Sequence, residues 1–433
     1  MSAALTPRAA EDHVRRGCFA TGPPGRTGVE LEWLVHDAGD PGRPVPAERV
    51  RQALAPLPAL PCGGAISYEP GGQLELSTAP AASLTGCLNA AAGDLAVLRR
   101  ALTGAGLVLG GHGLDPWRDP PRVVDSARYR AMEAFFAADG PWGGLMMRAT
   151  AAVQVSLDSG DDSDGVTGYR RRWALAHRIG PVLVAAFANS PLWQGQPTGW
   201  RSTRQAAWAR IDPGRARPAA GRDGCDGRDP RGAWARYALD ARVLCVRRGP
   251  RADWSPPPGL TFRSWLGGAS AGRAPTLADL DYHLSTLFPP VRPRGWLELR
   301  MIDGQRDDGW LPATAVPAVL LDDPAAAEAA WEATAPLCAG GGVPPAAVWA
   351  TAARSGPADR QVGRAVRACF AAAQTALNEP GVPAYVRHAV ADFAERYAHR
   401  GRCPADDVLD AAPRPAATHP RPLPLPLPEG APS

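Results

Sequence analysis

The sequence contains no lysine: all 47 of its basic side chains are arginines. P-loop nucleotide-binding enzymes and protein kinases both place a lysine on the phosphates of ATP. Neither kind of phosphate site can be built from this chain, so any phosphate that it binds must be held by arginine and metal. The abundance of Arg, Ala, Gly and Pro also indicates a GC-rich genome. Codon usage therefore explains much of the preference for arginine, but the chain still has no lysine to place on a phosphate.

Several common patterns are also missing. The eight cysteines are scattered and form no C-x-x-C pair, which predicts reduced packing residues and no zinc site. No G-x-G-x-x-G turn joins a predicted strand to a helix, so the usual dinucleotide-binding fold is excluded. The first 20 residues lack the apolar core of a secretory signal, and no run of about 18 apolar residues offers a membrane span. We therefore expect a cytoplasmic protein without a membrane partner.

The overall composition is that of an ordinary globular protein. Hydrophobic residues make up 45% and charged residues 21% of the 433 positions, values typical of folded domains. The net charge of +4 is close to balance and argues against a nucleic-acid partner. Length alone leaves the number of domains open. We predict one catalytic domain over residues 1–411, helix-rich from about residue 312, and a Pro-rich disordered tail at 412–433.

Strand-like and helix-like segments alternate irregularly, which predicts an α+β fold. Alternating or short apolar runs predict strands at residues 29–35, 65–68, 73–78, 106–110, 147–157, 241–247 and 295–302. Helical periodicity covers residues 83–103, 128–138, 168–188, 277–287, 325–334, 357–377 and 384–399. A Gly-, Arg-, Asp- and Pro-rich segment at residues 214–231 predicts a loop.

Two acidic side chains share one face of the first of these strands. In GVELEW, Glu30 and Glu32 point the same way, because residues i and i+2 of a strand lie on one face. Leu31 and Trp33 point the other way and can be buried. Neighbouring carboxylates repel each other, so this face needs either a bound cation or open water. For this strand alone, a solvated surface strand is the simpler interpretation.

A predicted hairpin repeats the acidic pattern. The Pro-Gly-Gly turn in YEPGGQLELST reverses the chain and leaves Glu69 at the end of the first arm. On the second arm, Gln73, Glu75 and Ser77 share one face, while the leucines between them share the other.

Two later strands also carry polar side chains on one face. The strand near residue 155 places Gln154 beside Ser156, and the strand in WLELRM places Glu298 beside Arg300. Carboxylate, amide and hydroxyl oxygens without cysteine are a ligand set for a hard cation such as Mg²⁺ or Mn²⁺. The repetition predicts a metal site, provided that the four strands belong to one sheet.

These segments resemble the glutamate-cysteine ligases of plants and bacteria, in particular the type used in actinobacterial ergothioneine biosynthesis. The matching words are GVELEW, YEPGGQLELSTAP, MMRATAAVQVSLD, WRSTR, YALDARV, TFRSWL and DLDYHLSTLFPPVRPRGWLELRMID. They cover most of residues 28–303 in the family's order. The resemblance implies a glutamine-synthetase-like fold, in which a curved, largely antiparallel sheet flanked by helices holds divalent ions, ATP and glutamate on its concave face.

The resemblance also implies a metal-binding set and a catalytic pair. The predicted ligands of Mg²⁺ or Mn²⁺ are Glu30, Glu32, Glu69, Glu75, Glu298 and, where relatives place a neutral ligand, Gln154. Arg300 is predicted to act in catalysis with Glu298 by reaching the transferred phosphate or a substrate carboxylate.

Further residues are predicted to bind substrates. Arg201 and Arg204 fall in the segment where the family binds glutamate, and arginine suits a carboxylate well. We also predict substrate contacts for Gln73 and Ser156. Arg263 in TFRSWL is predicted to contact ATP, with a surface arginine as the alternative.

The implied reaction joins L-glutamate to L-cysteine and consumes ATP. The γ-carboxylate of glutamate attacks the γ-phosphate of ATP, and the amine of cysteine then attacks the γ-glutamyl phosphate to give γ-glutamylcysteine. Two alternatives remain open at this point. One is a carboxylate-amine ligase with a different amine acceptor. The other is a non-catalytic paralogue that binds ATP or glutamate, which the intact set of carboxylates disfavours.

Overall fold

An antiparallel sheet organises the fold. The computed structural model describes residues 5–219, 229–249, 251–269, 271–379 and 381–412. Within them, seven strands form one sheet in the order β2-β3-β1-β5-β9-β8, with β4 also paired to β1. These strands are β1 (Thr27–Asp37), β2 (Ala65–Tyr68), β3 (Leu74–Ser77), β4 (Leu107–Gly110), β5 (Ala152–Asp158), β8 (Val291–Pro293) and β9 (Trp296–Asp303); β6 (Leu192–Trp193) and β7 (Gln196–Pro197) form a separate ribbon.

Helices make up most of the remaining described chain. The first nine are α1 (Pro7–Gly17), α2 (Ala47–Leu54), α3 (Leu84–Gly104), α4 (Ala127–Ala137), α5 (Trp142–Ala149), α6 (Tyr169–Ala186), α7 (Thr203–Trp208), α8 (Pro213–Ala216) and α9 (Pro230–Asp240). The others are α10 (Phe262–Leu266), α11 (Leu277–Leu284), α12 (Trp310–Asp322), α13 (Pro324–Thr334), α14 (Ala346–Ser355), α15 (Arg360–Leu377), α16 (Ala384–Phe393) and α17 (Pro404–Ala411). Short 3₁₀ turns lie at Ala335–Cys338 and Gly356–Ala358, and a π turn at Ala394–Ala398. In the described residues, we find no helix with the length and apolar character that crossing a bilayer requires.

The apolar sides of the strands determine where the helices pack. Val29, Leu31 and Trp33 of β1 are buried in the main core, and α3, α6 and α12 pack against strands of the sheet. Because side chains alternate along a strand, covering the leucine side with helices leaves Glu30 and Glu32 on the opposite side. The α+β class and the flanked antiparallel sheet predicted from the sequence are confirmed.

Two of the predicted strands are wrong at least in part. Residues 147–149 close helix α5, so the strand near residue 155 begins only at Ala152. Residues 241–247 form no strand, because their backbone groups bond singly to loops, with Val243 N donating to Leu260 O and Val246 N to Trp254 O. This apolar run is buried without a partner strand.

Two low-complexity segments fall partly or almost wholly outside the described residues. The predicted loop at 214–231 is wrong at both ends. Helices α8 and α9 form there, and each has a proline in its first turn. Its centre at 220–228 and the predicted tail from residue 413 onward lie outside the described residues. The single-domain division stays a prediction; the main hydrophobic core draws residues from Ala10 to Ala398.

Candidate active site

The strand register brings the predicted polar residues together. Strand β1 pairs with β3 on one side and with β5 on the other, and β5 pairs with β9. The condition set by the sequence, that the four strands share one sheet, is therefore met. The directly opposed pairs are Glu32 with Glu75, Glu30 with Gln154, and Ser156 with Glu298.

A pocket of about 200 Å³ opens over this face of the sheet. Four carboxylates line one side, and we call this set the acidic half: Glu30, Glu32, Glu69 and Glu75. Helices α4, α5 and α7 and the loop after α11 supply an apolar wall of Tyr129, Met132, Met146, Met147, Trp208 and Phe288. The pocket is therefore charged on its strand side and mainly apolar on its helix side.

Positive charge is scarce in the acidic half. Burial, reinforced by neighbouring carboxylates, raises the pKa of Glu30 to about 7, of Glu32 to about 8 and of Glu69 to about 7. Glu75 is held by two hydroxyl donors, Ser67 Oγ at 2.8 Å and Ser77 Oγ at 3.0 Å, both to its Oε1. These carboxylates are crowded together without enough counter-charge.

The donor set of the acidic half fits a hard divalent cation. Among the described residues, no three His, Cys, Asp or Glu side chains already stand close enough together to enclose a metal ion. All four donors are nevertheless carboxylates on one pocket wall, and oxygen-only sites are those that Mg²⁺ and Mn²⁺ prefer. A bound cation would relieve the repulsion that raises the pKa values.

On the opposite side of the pocket, arginines balance the charge of a buried carboxylate. We call Arg292, Glu298 and Arg300 the arginine half. Arg292 grips Glu298 with two hydrogen bonds, Nε to Oε2 at 2.5 Å and Nη2 to Oε1 at 3.0 Å. Arg300 Nη1 lies 3.2 Å from Oε2. Burial alone would raise the pKa of Glu298, but these arginines lower it to about 2. Its predicted metal role stays a prediction, because Arg292 already engages both oxygens.

Gln154 joins the two halves. Its Nε2 donates to Glu32 Oε1 at 2.6 Å, and its Oε1 accepts a hydrogen bond from Arg300 Nη1. The amide therefore has one polar group on each charged half. A neutral side chain suits this position because it can bond a carboxylate and a guanidinium at once.

Arg204 lies beside the pocket. It lines a small cavity of about 20 Å³, and Trp208, Phe288 and Arg300 line both that cavity and the larger pocket. Three buried donors here have no hydrogen-bond acceptor among the described residues: Arg204 Nη1, Arg300 Nε and Trp208 Nε1. A cavity of this size holds about one water or one ligand oxygen. The donors suit an oxygen of an anionic ligand.

The other two predicted arginines are placed away from these donors. Arg201 Nε donates to Asp406 of α17 at 2.7 Å and does not line the acidic pocket. Arg263 pairs with Asp240, and both side chains are about half exposed. The glutamate contact of Arg201 and the ATP contact of Arg263 stay predictions.

Gln73 and Ser156 occupy different surroundings. Gln73 Nε2 donates to Thr150 O at 2.9 Å, and its Oε1 accepts from Gly71 N at 2.9 Å, so the amide already ties the hairpin turn to the end of α5. Ser156 is half-buried on β5, opposite Glu298. The substrate contacts proposed for both residues stay predictions.

Sequence reasoning missed the two further arginines of the pocket. Arg292 lies on β8 opposite Glu298, and Arg128 of α4 reaches the rim, where its Nη1 donates to Ser285 Oγ at 3.1 Å. In a chain with 47 basic residues, all arginine, neither stands out by composition. The available signal for Arg292 was its place in VRPRGWLELR, where a short turn folds it back onto Glu298.

Comparison with known proteins gives one consistent family. The profile of the family described as Glutamate-cysteine ligase family 2 matches residues 26–421. The glutamate-cysteine ligase EgtA of Mycobacterium tuberculosis (strain CDC 1551 / Oshkosh) is 42% identical over 407 residues, which are 93% of this chain and 89% of that protein. The EgtA of Mycolicibacterium smegmatis is also 42% identical, over 92% and 90% of the two chains. The chloroplastic enzyme of Nicotiana tabacum is 34% identical over 261 residues, 58% of this chain and 47% of that one.

A solved structure shares the fold. The glutamate-cysteine ligase of Francisella tularensis, crystallised in complex with AMP, superposes with a TM-score of 0.51 and covers 90% of this chain and 85% of its own. The sequence identity of 12% restricts this likeness to the fold. It agrees with the flanked antiparallel sheet described above.

Proposed function

The chain belongs to glutamate-cysteine ligase family 2, and from this premise we propose that it joins the γ-carboxylate of L-glutamate to the amine of L-cysteine, converting ATP to ADP and phosphate. The observation that carries the proposal is the divided pocket, with carboxylates on one side and arginines on the other. Phosphoryl transfer to a carboxylate brings anions together, so a site for it must supply cations at fixed positions. A role in ergothioneine biosynthesis is part of the proposal.

We propose that the acidic half, with Gln154 and Glu298 at its border, holds Mg²⁺ or Mn²⁺. When bound, such an ion would neutralise phosphate oxygens and orient ATP. Hydrogen bonds within the chain hold two of these carboxylates in position. Ser67 and Ser77 fix one oxygen of Glu75, and Gln154 fixes one oxygen of Glu32.

The arginine half provides the fixed positive charge for the first step. A glutamate γ-carboxylate oxygen attacks the γ-phosphorus of ATP, the bond to the bridging oxygen breaks, and ADP leaves. Arg300 lines the pocket and has a free buried Nε. Its Nη1 is anchored to Glu298 at 3.2 Å. A guanidinium held in this way meets developing negative charge without having to reorganise.

The apolar wall serves the second step. The cysteine amine attacks the acyl carbon of γ-glutamyl phosphate, the bond from that carbon to the phosphate oxygen breaks, and the nitrogen passes a proton to the departing phosphate. No enzyme nucleophile takes part. The acyl phosphate must be kept from water, and Met132, Met146 and Phe288 cover the helix side of the pocket.

We propose that Arg204 binds a carboxylate of the substrate L-glutamate. This guanidinium is buried, lines the small cavity beside the pocket and has an unpaired Nη1. A carboxylate is the ligand that arginine binds best, through charge-assisted hydrogen bonds. Trp208 Nε1 offers one more donor to the same ligand.

The experiment is to measure ADP release by the purified chain with Mg²⁺, ATP and glutamate, adding one amine at a time. Cysteine is expected to give the highest kcat/KM, with γ-glutamylcysteine identified by mass spectrometry. Serine, 2-aminobutyrate and glycine are the comparison amines. Equal or faster turnover with one of them would replace the named acceptor, and no glutamate-dependent ADP release at all would refute the ligase.

A further inference from the structure

A buried carboxylate outside the pocket organises the segment that carries Arg204. Asp303, the last residue of β9, has only 2% of its surface exposed. It accepts hydrogen bonds from Asn189 N at 2.9 Å and Ser190 Oγ at 2.7 Å on Oδ2, and from Ser202 Oγ at 2.9 Å on Oδ1. All three donors belong to the chain between α6 and α7.

The same carboxylate faces the guanidinium of Arg204. Its Oδ1 lies 3.7 Å from Arg204 Nη1, within ion-pair range but too far for a hydrogen bond. Arg204 is itself 3% exposed. A buried guanidinium costs several kcal/mol unless a negative charge compensates it. Asp303 supplies that charge while leaving the hydrogens of Nη1 unpaired.

Other contacts fix the direction of the Arg204 side chain. Ser190 Oγ, which donates to Asp303, accepts the backbone N–H of Arg204 at 3.1 Å. Arg204 Nη2 donates to the carbonyl of Arg300 at 2.9 Å. One nitrogen is thus anchored to β9, the backbone is anchored through Ser190, and Nη1 is left for a ligand.

Close packing leaves Asp303 little freedom to shift. A Cβ built on Gly113 would lie 2.5 Å from Asp303 Cγ, so only glycine allows the carboxylate its place. Gly113 N donates a hydrogen bond to Asn189 O at 3.0 Å. This bond links the segment of Gly113 to the chain between α6 and α7, and both lie against Asp303 at the end of β9.

We propose that Asp303 is a positioning residue for the ligase reaction, one that holds Arg204 beside the pocket with a free N–H directed at the carboxylate of L-glutamate. This rests on the proposed function. Asp303 does not touch the substrate. It acts through Arg204, so its loss weakens glutamate binding selectively and leaves ATP and cysteine binding nearly unchanged.

Asp303→Asn is the decisive variant, since it keeps the size of the side chain but removes its charge and one acceptor. Asp94→Asn is the matched control. Asp94 is also fully buried and accepts two backbone hydrogen bonds, from Cys62 N at 2.7 Å and Gly64 N at 2.8 Å, but it does not line the pocket. Both variants lose buried hydrogen bonds, and only one of them faces Arg204.

The test measures KM for each substrate and the melting temperature of the full chain. Asp303→Asn is expected to raise KM for glutamate about tenfold or more, a loss of about 1.4 kcal/mol. KM for ATP and cysteine should stay within about twofold. Asp94→Asn should lower the melting temperature without shifting any KM beyond about twofold. Equal increases in all three KM values, or a glutamate KM equal to that of Asp94→Asn, would overturn the proposal.

Ser190→Ala keeps the proposal testable should Asp303→Asn fail to fold. It removes one hydrogen bond to Asp303 and the one to Arg204 N, and it is expected to raise the glutamate KM about two- to fivefold. An unchanged glutamate KM in this variant would also overturn the proposal. Inactive wild-type protein would instead refute the proposed function, so the two failures are distinguishable.

Discussion

The two halves of the pocket solve the problem of buried charge in opposite ways. In the acidic half, Glu30 and Glu32 have pKa values raised to about 7 and about 8 by burial and mutual repulsion. In the arginine half, Glu298 is more deeply buried, yet its pKa falls to about 2 because Arg292 and Arg300 surround it. The charges of the arginine half are therefore balanced without a ligand, although Arg300 Nε has no acceptor among the described residues. The carboxylates of the acidic half need a bound proton or cation to offset their mutual repulsion.

The contrast assigns different tasks to residues of the same type. A carboxylate that lacks a partner is available to a metal, whereas one held by two arginines sets the position of those arginines. The same Glu→Gln substitution should therefore affect activity on both sides but stability on only one.

The largest expected effect is on turnover. Glu30→Gln is expected to lower kcat more than about 100-fold, because it weakens the proposed cation site at the transferring phosphate. Glu298→Gln should cause a loss of similar size by releasing Arg292 and Arg300. The control is Glu48→Gln on α2, an exposed glutamate paired with Arg51. Near-normal activity in Glu30→Gln would remove the basis for the metal proposal, and near-normal activity in Glu298→Gln would remove the role given to the arginine half.

The next effect separates the halves by stability. Glu298→Gln should lower the free energy of unfolding by about 3–5 kcal/mol, because it leaves Arg292 buried without its counter-charge. Glu32→Gln should not destabilise the metal-free protein, since glutamine keeps the uncharged state that burial and neighbouring carboxylates already favour at Glu32. Urea unfolding of both variants without divalent ions measures this. Equal losses in the two would mean that the arginine half is not balanced by itself.

Between pH 6.5 and 8.5, the acidic half but not the arginine half should make stability depend on pH. Folding raises the pKa of Glu32 from about 4.5 to about 8. The folded state therefore binds more protons than the unfolded state between these values, and stability falls as pH rises through this range. From pH 6.5 to 8.5, wild-type Tm should drop by about 2–4 °C relative to Glu32→Gln. The buried histidines, being common to both proteins, cancel in this difference.

Divalent cation provides the control for the pH experiment. Magnesium binds the ionised carboxylates, so saturating Mg²⁺ should abolish the fall in Tm or reverse it. Scanning calorimetry of both proteins with and without Mg²⁺ measures this. A slope that is the same in Glu32→Gln and wild type would place the titrating groups elsewhere.

The acidic half was largely predictable from the sequence. Strand alternation places Glu30 with Glu32 and sets Glu75 apart from its flanking leucines, and these patterns survive because the leucine side has to be buried. What alternation cannot provide is the register between strands. That Glu32 faces Glu75 while Glu30 faces Gln154 follows from pairing between residues far apart in the chain.

The arginine half was less predictable. Arg292 reaches Glu298 only because β8 turns back on β9, and apart from that turn in VRPRGWLELR nothing distinguishes it from the many exposed arginines. Asp303 gave no signal either, since its partners lie in another segment of the chain. The wrong strand at 241–247 has a similar cause, because an apolar run indicates burial but not whether a partner strand is available.

The smallest expected effect concerns an arginine outside both halves. Arg263 was predicted to contact ATP, but its guanidinium is 45% exposed and paired with Asp240, which is 57% exposed. Exposed ion pairs contribute at most about 1 kcal/mol. Arg263→Ala should therefore leave stability within that limit and KM for ATP within about twofold, whereas Arg300→Ala should abolish turnover. A tenfold rise in KM for ATP in Arg263→Ala would extend the nucleotide site to α10, and fixed positive charge for ATP would then not be confined to the arginine half.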